Sequence, residues 1–183
     1  DGDRLGKEEV AFAAIMSFVA GTETTQCLVG NLINRLLAHP EQLERIRRER
    51  ALIPAAVAET IRVETPLQLT KRVALSDYAL GENTIRAGEQ VLLCLAAANR
   101  DPAQYPQPER YDVAREGRPH VGFGYGMHNC LGGVLAQMQV ELVLDAFVRR
   151  FASAERADER EIWQSHSLIL RGLDTLPLRF VSA

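Results

Sequence analysis

The sequence predicts a mainly α-helical fold with small β-sheets, and three observations carry that reading. Residues 7–38 form a largely apolar run without proline, long enough for one helix of about 48 Å at 1.5 Å per residue. Helical periodicity returns over residues 41–51, 54–63 and 131–151. The strand-like stretches between them, 69–75, 84–85 and 89–93, are short and are cut by Gly81-Glu82-Asn83 and Ala87-Gly88.

The first helix is predicted to open with Glu8 and Glu9, which suit the positive end of its dipole. Its middle is apolar nearly all round (Phe12, Ile15, Met16, Phe18, Val19, then Leu28, Leu32, Ile33), so it is expected at the centre of a protein, covered on several sides. His39-Pro40 ends it, and Pro40 can start the next helix. That second helix is dense in Glu and Arg and reads as solvated. Thr65-Pro66 stops the third. A brief helix is expected over residues 96–100. Residues 105–122 carry three prolines and no period, which marks a long ordered meander or loop. After the helix over 131–151, residues 168–173 and 176–181 predict a terminal hairpin.

Composition narrows the function classes. The 183 residues carry 21 basic and 24 acidic side chains, a formal net charge of −3. With a pI near 5.9, there is no basic footprint for nucleic acid. A lone compact chain of this mass would expose roughly 8,800 Å². Cys27, Cys94 and Cys130 lie too far apart for a disulfide scaffold or a CxxC zinc site, which points to a reducing compartment, the cytoplasm. Residues 10–21 are too short and interrupted to span a bilayer, and the polar opening Asp1-Gly2-Asp3-Arg4 is not a secretory signal.

The segment that carries chemistry is Phe123-Gly124-Tyr125-Gly126-Met127-His128-Asn129-Cys130-Leu131-Gly132. It sets one cysteine just before a helix start, after a turn with glycines two apart. A thiolate there faces backbone N–H groups and a helix dipole, which favour its charged form, and glycines let that backbone approach a flat ligand. A sulfur so held suits an axial metal ligand. The alternative is a buried free cysteine beside a Gly-rich turn. Six positions (Phe123, Gly124, Gly126, His128, Cys130, Gly132) match one pattern together, a coincidence on the order of one in a million by composition.

On these residues the sequence resembles the cytochrome P-450 family, the haem-thiolate monooxygenases, over essentially its whole length and as the C-terminal portion of the bacterial soluble type. Ala20-Gly21-Thr22-Glu23-Thr24 resembles the oxygen-activation segment of the family's long central helix. Glu59-Thr60-Ile61-Arg62 resembles its Glu-x-x-Arg pair, and Pro108-Glu109-Arg110-Tyr111 the segment that lends a second arginine, here Arg110. Asn99-Arg100-Asp101-Pro102 has the look of the soluble bacterial subgroup.

The resemblance implies the family's fold over residues 1–183, with haem b (iron protoporphyrin IX) between the long helix and the Cys130 loop. It makes Cys130 the iron ligand, and Arg72 and His128 partners of the propionates. Thr24 would hand a proton toward dioxygen, Glu23 would relay it, and Ala20 and Gly21 would open the groove. A π-type widening of the helix is expected there. Ala20, Leu67, Leu69 and Leu170 would face an apolar substrate. Electrons would come from NAD(P)H through a ferredoxin-type partner and its reductase.

Plainer roles exist for the minor motifs. Glu59 and Arg62 could be an ordinary i,i+3 helix pair, Thr24 could back-bond to the carbonyl four residues earlier, Arg72 could be a strand-edge cation, and His128 could cap its turn. The competing functional class is a haem-binding or haem-free truncated remnant without turnover.

Three departures from the family stand out. The family's N-terminal portion is absent, which predicts an exposed apolar flank on the long helix, covered by the missing half or by another copy. Arg86 replaces a turn proline and is expected to loosen that turn. Gln137 and Gln139 stand where Arg and Glu are common.

Overall fold

The computed structural model describes residues 4–117, 119–158 and 160–182. Helix α1, Lys7–Ala38, has the span read from sequence. The Gly6 N–H donates to Glu9 Oε2 at 2.7 Å and closes its first turn. It ends at His39, whose N–H returns to the Leu36 carbonyl at 3.2 Å. Every buried residue of α1 lies between Cys27 and Leu36.

Helices α2 (Pro40–Arg48) and α3 (Ile53–Val63) follow, joined by a 3-10 turn at Arg50–Leu52. Strand β1 (Leu69–Val73) pairs antiparallel with β4 (Gln90–Cys94), in register from Leu69 opposite Cys94 to Val73 opposite Gln90. Between them β2 (Tyr78–Leu80) and β3 (Asn83–Ile85) make a hairpin, of which the sequence pattern showed only the second strand. The Arg86 turn is tied rather than loosened. Its N–H, which proline would lack, donates to Glu89 Oε2 at 2.8 Å, and Glu89 N–H returns to the Arg86 carbonyl at 3.0 Å.

Helix α4 (Leu95–Ala98) leads into the meander, and α5 (Gly133–Arg150) follows the cysteine loop. The terminal hairpin is not formed as predicted. Strand β7 (Leu173–Thr175) pairs with β6 (Ile162–Trp163), and β8 (Leu178–Ser182) pairs with β5 (Phe151–Arg156). Each late strand pairs with an earlier partner instead of across Pro177, and stacking of Phe180 on Phe151, 4.3 Å between ring centroids, helps hold the outer pair.

The core is built where α1, α3 and α5 meet. Leu32, Leu36, Ile46, Val57, Val113, Val140 and Leu144 are fully enclosed. The first half of α1 is not. Phe12 is 67% and Phe18 74% exposed, so the central position expected for the whole helix holds only for its second half within the described residues. The surface totals 12334 Å², roughly 3,500 Å² more than a compact chain of this mass exposes. By length and composition α1 could cross a membrane, which corrects the reading taken from residues 10–21 alone; the core helix of a soluble protein passes the same test.

Candidate functional site

The site rests on a buried polar joint at the end of α3. Glu59 and Arg62 sit one helical turn apart, both almost fully enclosed. Arg62 grips the carboxylate with two parallel bonds, Nε to Oε2 at 2.7 Å and Nη2 to Oε1 at 2.9 Å. Its remaining donors reach the carbonyls of Asn99 (2.9 Å), Pro108 (2.8 Å) and Arg110 (3.3 Å). A lone i,i+3 pair would not explain that reach. Each donor of a buried guanidinium needs an acceptor, and the meander supplies them.

The second arginine on Glu59 is Arg115, not Arg110. Arg115 Nε donates to Glu59 Oε1 at 3.0 Å, while its Nη groups hold the carbonyls of Pro106, Gln107 and Arg110 at 2.7–3.1 Å. The Arg110 side chain points outward to Asp112, 3.4 Å away, and contributes to the joint through its backbone carbonyl. The meander turns at Gln107, φ 51°, so residues 108–110 face Arg62 with their carbonyls and Arg115 comes round to the carboxylate. Nothing in the spacing distinguished the two arginines.

The joint continues into the cysteine loop. Asn99, fully buried, accepts the Val121 N–H on Oδ1 at 2.8 Å. Gly122 lies so close to α3 that a Cβ there would stand 2.4 Å from Ile61 Cγ2. His120 packs its ring 5.6 Å from that of Phe123 and accepts the Gly122 N–H on Nδ1 at 3.2 Å. Burial, opposed by its own backbone bond and the Glu59 charge, holds its pKa below the ordinary imidazole value. Asn99 was noticed only as part of a family run, and Gly122 and His120 carried no recognisable signal.

The loop is shaped by its own backbone. Gly124 N–H bonds the Val121 carbonyl (2.8 Å), Asn129 N–H that of Gly126 (3.0 Å), and Cys130 N–H that of Phe123 (2.8 Å). Gly124 and Gly126 adopt φ of 76° and 68°, where only glycine sits without strain. A 3-10 turn, Gly126–His128, carries His128 on the exposed side. Gly132 caps α5, and the ring of Phe123 lies under Gly133. Cys130 stands exposed as a free thiol among exposed apolar neighbours, Leu131, Val134 and Leu135.

On the facing side, α1 runs as unbroken α-helix through the predicted distal residues, without the expected widening. The reason is visible in its hydroxyls. Thr22 Oγ1 donates to the Phe18 carbonyl at 2.7 Å and Thr24 Oγ1 to that of Ala20 at 2.6 Å, both within the ordinary ladder. Glu23 and Thr24 are half-buried and Ala20 is exposed. Beside Gly21 there is open space, nothing within 4 Å of a built Cβ. Gly21 also lines a cleft of about 640 Å³ between α1 and α5, with Thr25, Gln26, Val29, Leu142 and Val143.

Arg72, on β1, spends one donor on Thr70 Oγ1 (3.1 Å) and the Lys71 carbonyl (2.8 Å). Leu67 forms an isolated antiparallel bridge with Leu170, and Leu69 begins β1 beside it. The predicted residues thus occupy a loop, a helix face, a strand and a bridge, and the joint around Glu59 reaches the cysteine loop among them through Asn99 and Val121.

These residues suit a macrocycle-bound metal by donor chemistry. Among the described residues no cluster of three or more His, Cys, Asp or Glu could hold an ion. One exposed soft sulfur is therefore a complete protein contribution only where a cofactor supplies the other ligands.

Comparison with known proteins agrees. The cytochrome P450 family model matches residues 1–173. The chain is 42% identical to the biotin biosynthesis cytochrome P450 of Bacillus subtilis (strain 168), covering 97% of this chain and 45% of that protein. It is 38% identical to the 6-deoxyerythronolide B hydroxylase of Saccharopolyspora erythraea, covering 98% and 45%. Among solved structures, P450BioI in complex with hexadec-9Z-enoic acid ligated acyl carrier protein superposes with a TM-score of 0.93 at 42% identity, over 98% of this chain and 47% of that one. The chain therefore spans about half the length of the relatives it matches. With the family model spanning nearly all of the sequence and the cysteine loop built as described, the chain belongs to the cytochrome P450 family.

Proposed function

We propose that the full-length protein containing this chain is a haem-thiolate monooxygenase of an apolar organic substrate, RH + O₂ + 2 e⁻ + 2 H⁺ → ROH + H₂O. The observation that carries the reading is Cys130, a free thiol presented at the surface of a backbone-locked loop, where among the described residues no cluster of three or more His, Cys, Asp or Glu could hold an ion instead. Haem b, when bound, supplies oxygen activation, and thiolate donation from Cys130 favours O–O cleavage.

The chain's own residues then have defined tasks. Phe123, Gly124, Gly126 and Gly132 fix the loop, and Arg72 and His128 offer donors to the propionate carboxylates. Thr24 accepts a proton from the Glu23 side and passes it on by turning its O–H from the Ala20 carbonyl toward the groove. Ala20 and Gly21 leave that groove open, while Leu67, Leu69 and Leu170 exclude water and contact substrate. Glu59, Arg62 and Arg115 hold the meander behind the loop. Electrons come from NAD(P)H through a ferredoxin and its reductase.

The ligands of two structural neighbours, a hexadecenoic acid on its carrier protein and testosterone, share a dominant hydrocarbon body and support an apolar substrate. The exposed apolar side chains of the first half of α1, Phe12, Ile15 and Phe18 among them, support cover by the N-terminal half of the same domain or by a second copy; membership of the family supports residues 1–183 as the C-terminal haem-binding portion of a cytoplasmic protein.

The test is the absorption spectrum of the reduced, carbon-monoxide-bound full-length protein. A strongly red-shifted Soret band is expected, and Cys130→Ala should abolish it while helical circular dichroism persists. An unshifted band in the parent, or a shifted one in the variant, would remove the thiolate. No band at all would favour the remnant.

A further inference from the structure

A second buried carboxylate, unused by the site just described, sits one residue beyond α3. Glu64 is the C-cap of that helix, with its N–H on the Thr60 carbonyl at 2.7 Å and its side chain 1% exposed. Three arginines from three parts of the chain converge on it. Arg171 Nε lies 2.7 Å from Oε2, Arg100 Nη2 3.7 Å from Oε1, and Arg35 of α1 pairs with Oε1. Burying a carboxylate is costly unless it is paired and hydrogen-bonded, and α3 needs no such group to end, since Pro66 already stops it.

The backbone around Glu64 shows what the pairing holds. Arg171 N–H donates to the Pro66 carbonyl at 2.8 Å and Gln68 N–H to the Ile169 carbonyl at 2.7 Å. These two bonds flank the Leu67–Leu170 bridge. Asn31 of α1, fully buried, uses one amide nitrogen to hold both the Glu64 and the Arg171 carbonyls, each at 3.1 Å. The Arg171 guanidinium lies flat on Trp163, 3.7 Å from the ring centroid. The next residue, Gly172, touches α1 so closely that a Cβ would stand 2.4 Å from Cys27 Sγ. Asn31 is seven residues from Thr24, about 10.5 Å along the helix.

We infer that Glu64, through Arg171, is a positioning residue that fixes the Leu67–Leu170 bridge on α1 and so sets the width of the apolar side of the substrate groove. The inference rests on the reading of that bridge as substrate-facing. Without the carboxylate, the 169–171 segment keeps two backbone bonds, the Asn31 amide and the Arg171 contact with Trp163 but loses the charge that draws Arg171 toward α3, and the bridge can open as a unit.

Glu64→Gln and the more exposed, milder Arg171→Gln test this in the full-length haem-loaded protein. Amide hydrogen exchange should rise about tenfold at Gln68 and Arg171 in both variants, with the Glu64 amide at the end of α3 still protected. A general rise across α3 and α5, or no rise at the two amides, would overturn the positioning role. Pocket width is read with 1-alkylimidazoles from methyl to octyl, which bind haem iron through nitrogen and report by a Soret shift whatever the natural substrate. Both variants should bind the long-chain members at least threefold differently relative to 1-methylimidazole, and Leu170→Ala should remove that difference. An unchanged chain-length profile with increased exchange would show that the bridge does not face the groove, which defeats the inference and leaves the thiolate assignment standing. A parent without the shifted carbon-monoxide band would instead defeat the monooxygenase reading, and the inference with it.

Discussion

Replacing Arg115 and Arg110 in turn separates two residues that the sequence could not tell apart. Arg115, 15% exposed in its side chain, gives one bond to the buried Glu59 carboxylate and three to backbone carbonyls. A bond to a charged group contributes about 1.5–3 kcal/mol. The Pro106 and Gln107 carbonyls can turn to water, so they add little. Arg115→Ala should therefore cost about 3 kcal/mol, which for a full-length protein about twice this chain is a fall of about 3–6 °C in the unfolding midpoint. The Arg110 side chain is 61% exposed and pairs with Asp112 at 3.4 Å, an arrangement worth at most about 1 kcal/mol. Arg110→Ala should thus move the midpoint of the full-length protein by less than about 2 °C. Arg115→Lys should fall between, because an ammonium cannot fork between carboxylate and carbonyls. The assay is thermal unfolding of the full-length protein followed by circular dichroism, with the carbon-monoxide-bound spectrum recorded beside it. Equal losses for the two alanine variants would refute the assignment of Arg115 as the second arginine of the joint.

Three further outcomes are expected. Gly122→Ala forces a methyl to 2.4 Å from Ile61; overpacking of this kind costs about 1–3 kcal/mol and should reduce the fraction of protein with the red-shifted band, so an unaltered spectrum and midpoint would show the loop free to back away. His120 is held below its ordinary pKa chiefly by burial, so its neutral form stabilises the fold above about pH 6.5 and that contribution is lost as pH falls through the lower folded value; melting across pH 5 to 7.5 should show a steeper acid loss in the parent than in His120→Gln, and parallel curves would exclude it. Thr24→Ala removes a partly exposed back-bond worth about 0.5 kcal/mol, leaving stability nearly unchanged while reducing equivalents drain into peroxide; full coupling of electron use to product in the variant would count against the proton path through Thr24.

The span of α1 was legible to the residue because nothing in residues 7–38 interrupts it, whereas its covering was not, since periodicity reports which faces are apolar and not which neighbours are present. The cysteine loop was legible because six constrained residues fall within ten positions. Arg115 was not, because its role depends on the turn at Gln107, a non-glycine residue at φ 51° with no distinguishing neighbours. The late strands were paired wrongly for a related reason. Residues 168–181 are apolar enough to be strands, but 178–182 pair with 151–156, where Phe180 meets Phe147 and Phe151, and 173–175 pair with 162–163, so a short local turn around Pro177 does not compete.

The loop that presents Cys130 owes its shape to main-chain bonds and two left-handed glycines, with Asn99 and Gly122 anchoring it from behind. The side chains it turns outward, Tyr125, Met127 and Leu131, are each at least 89% exposed and take no part in that frame. The outer facing can therefore be recut, by mutation or by design, while the sulfur stays where it is.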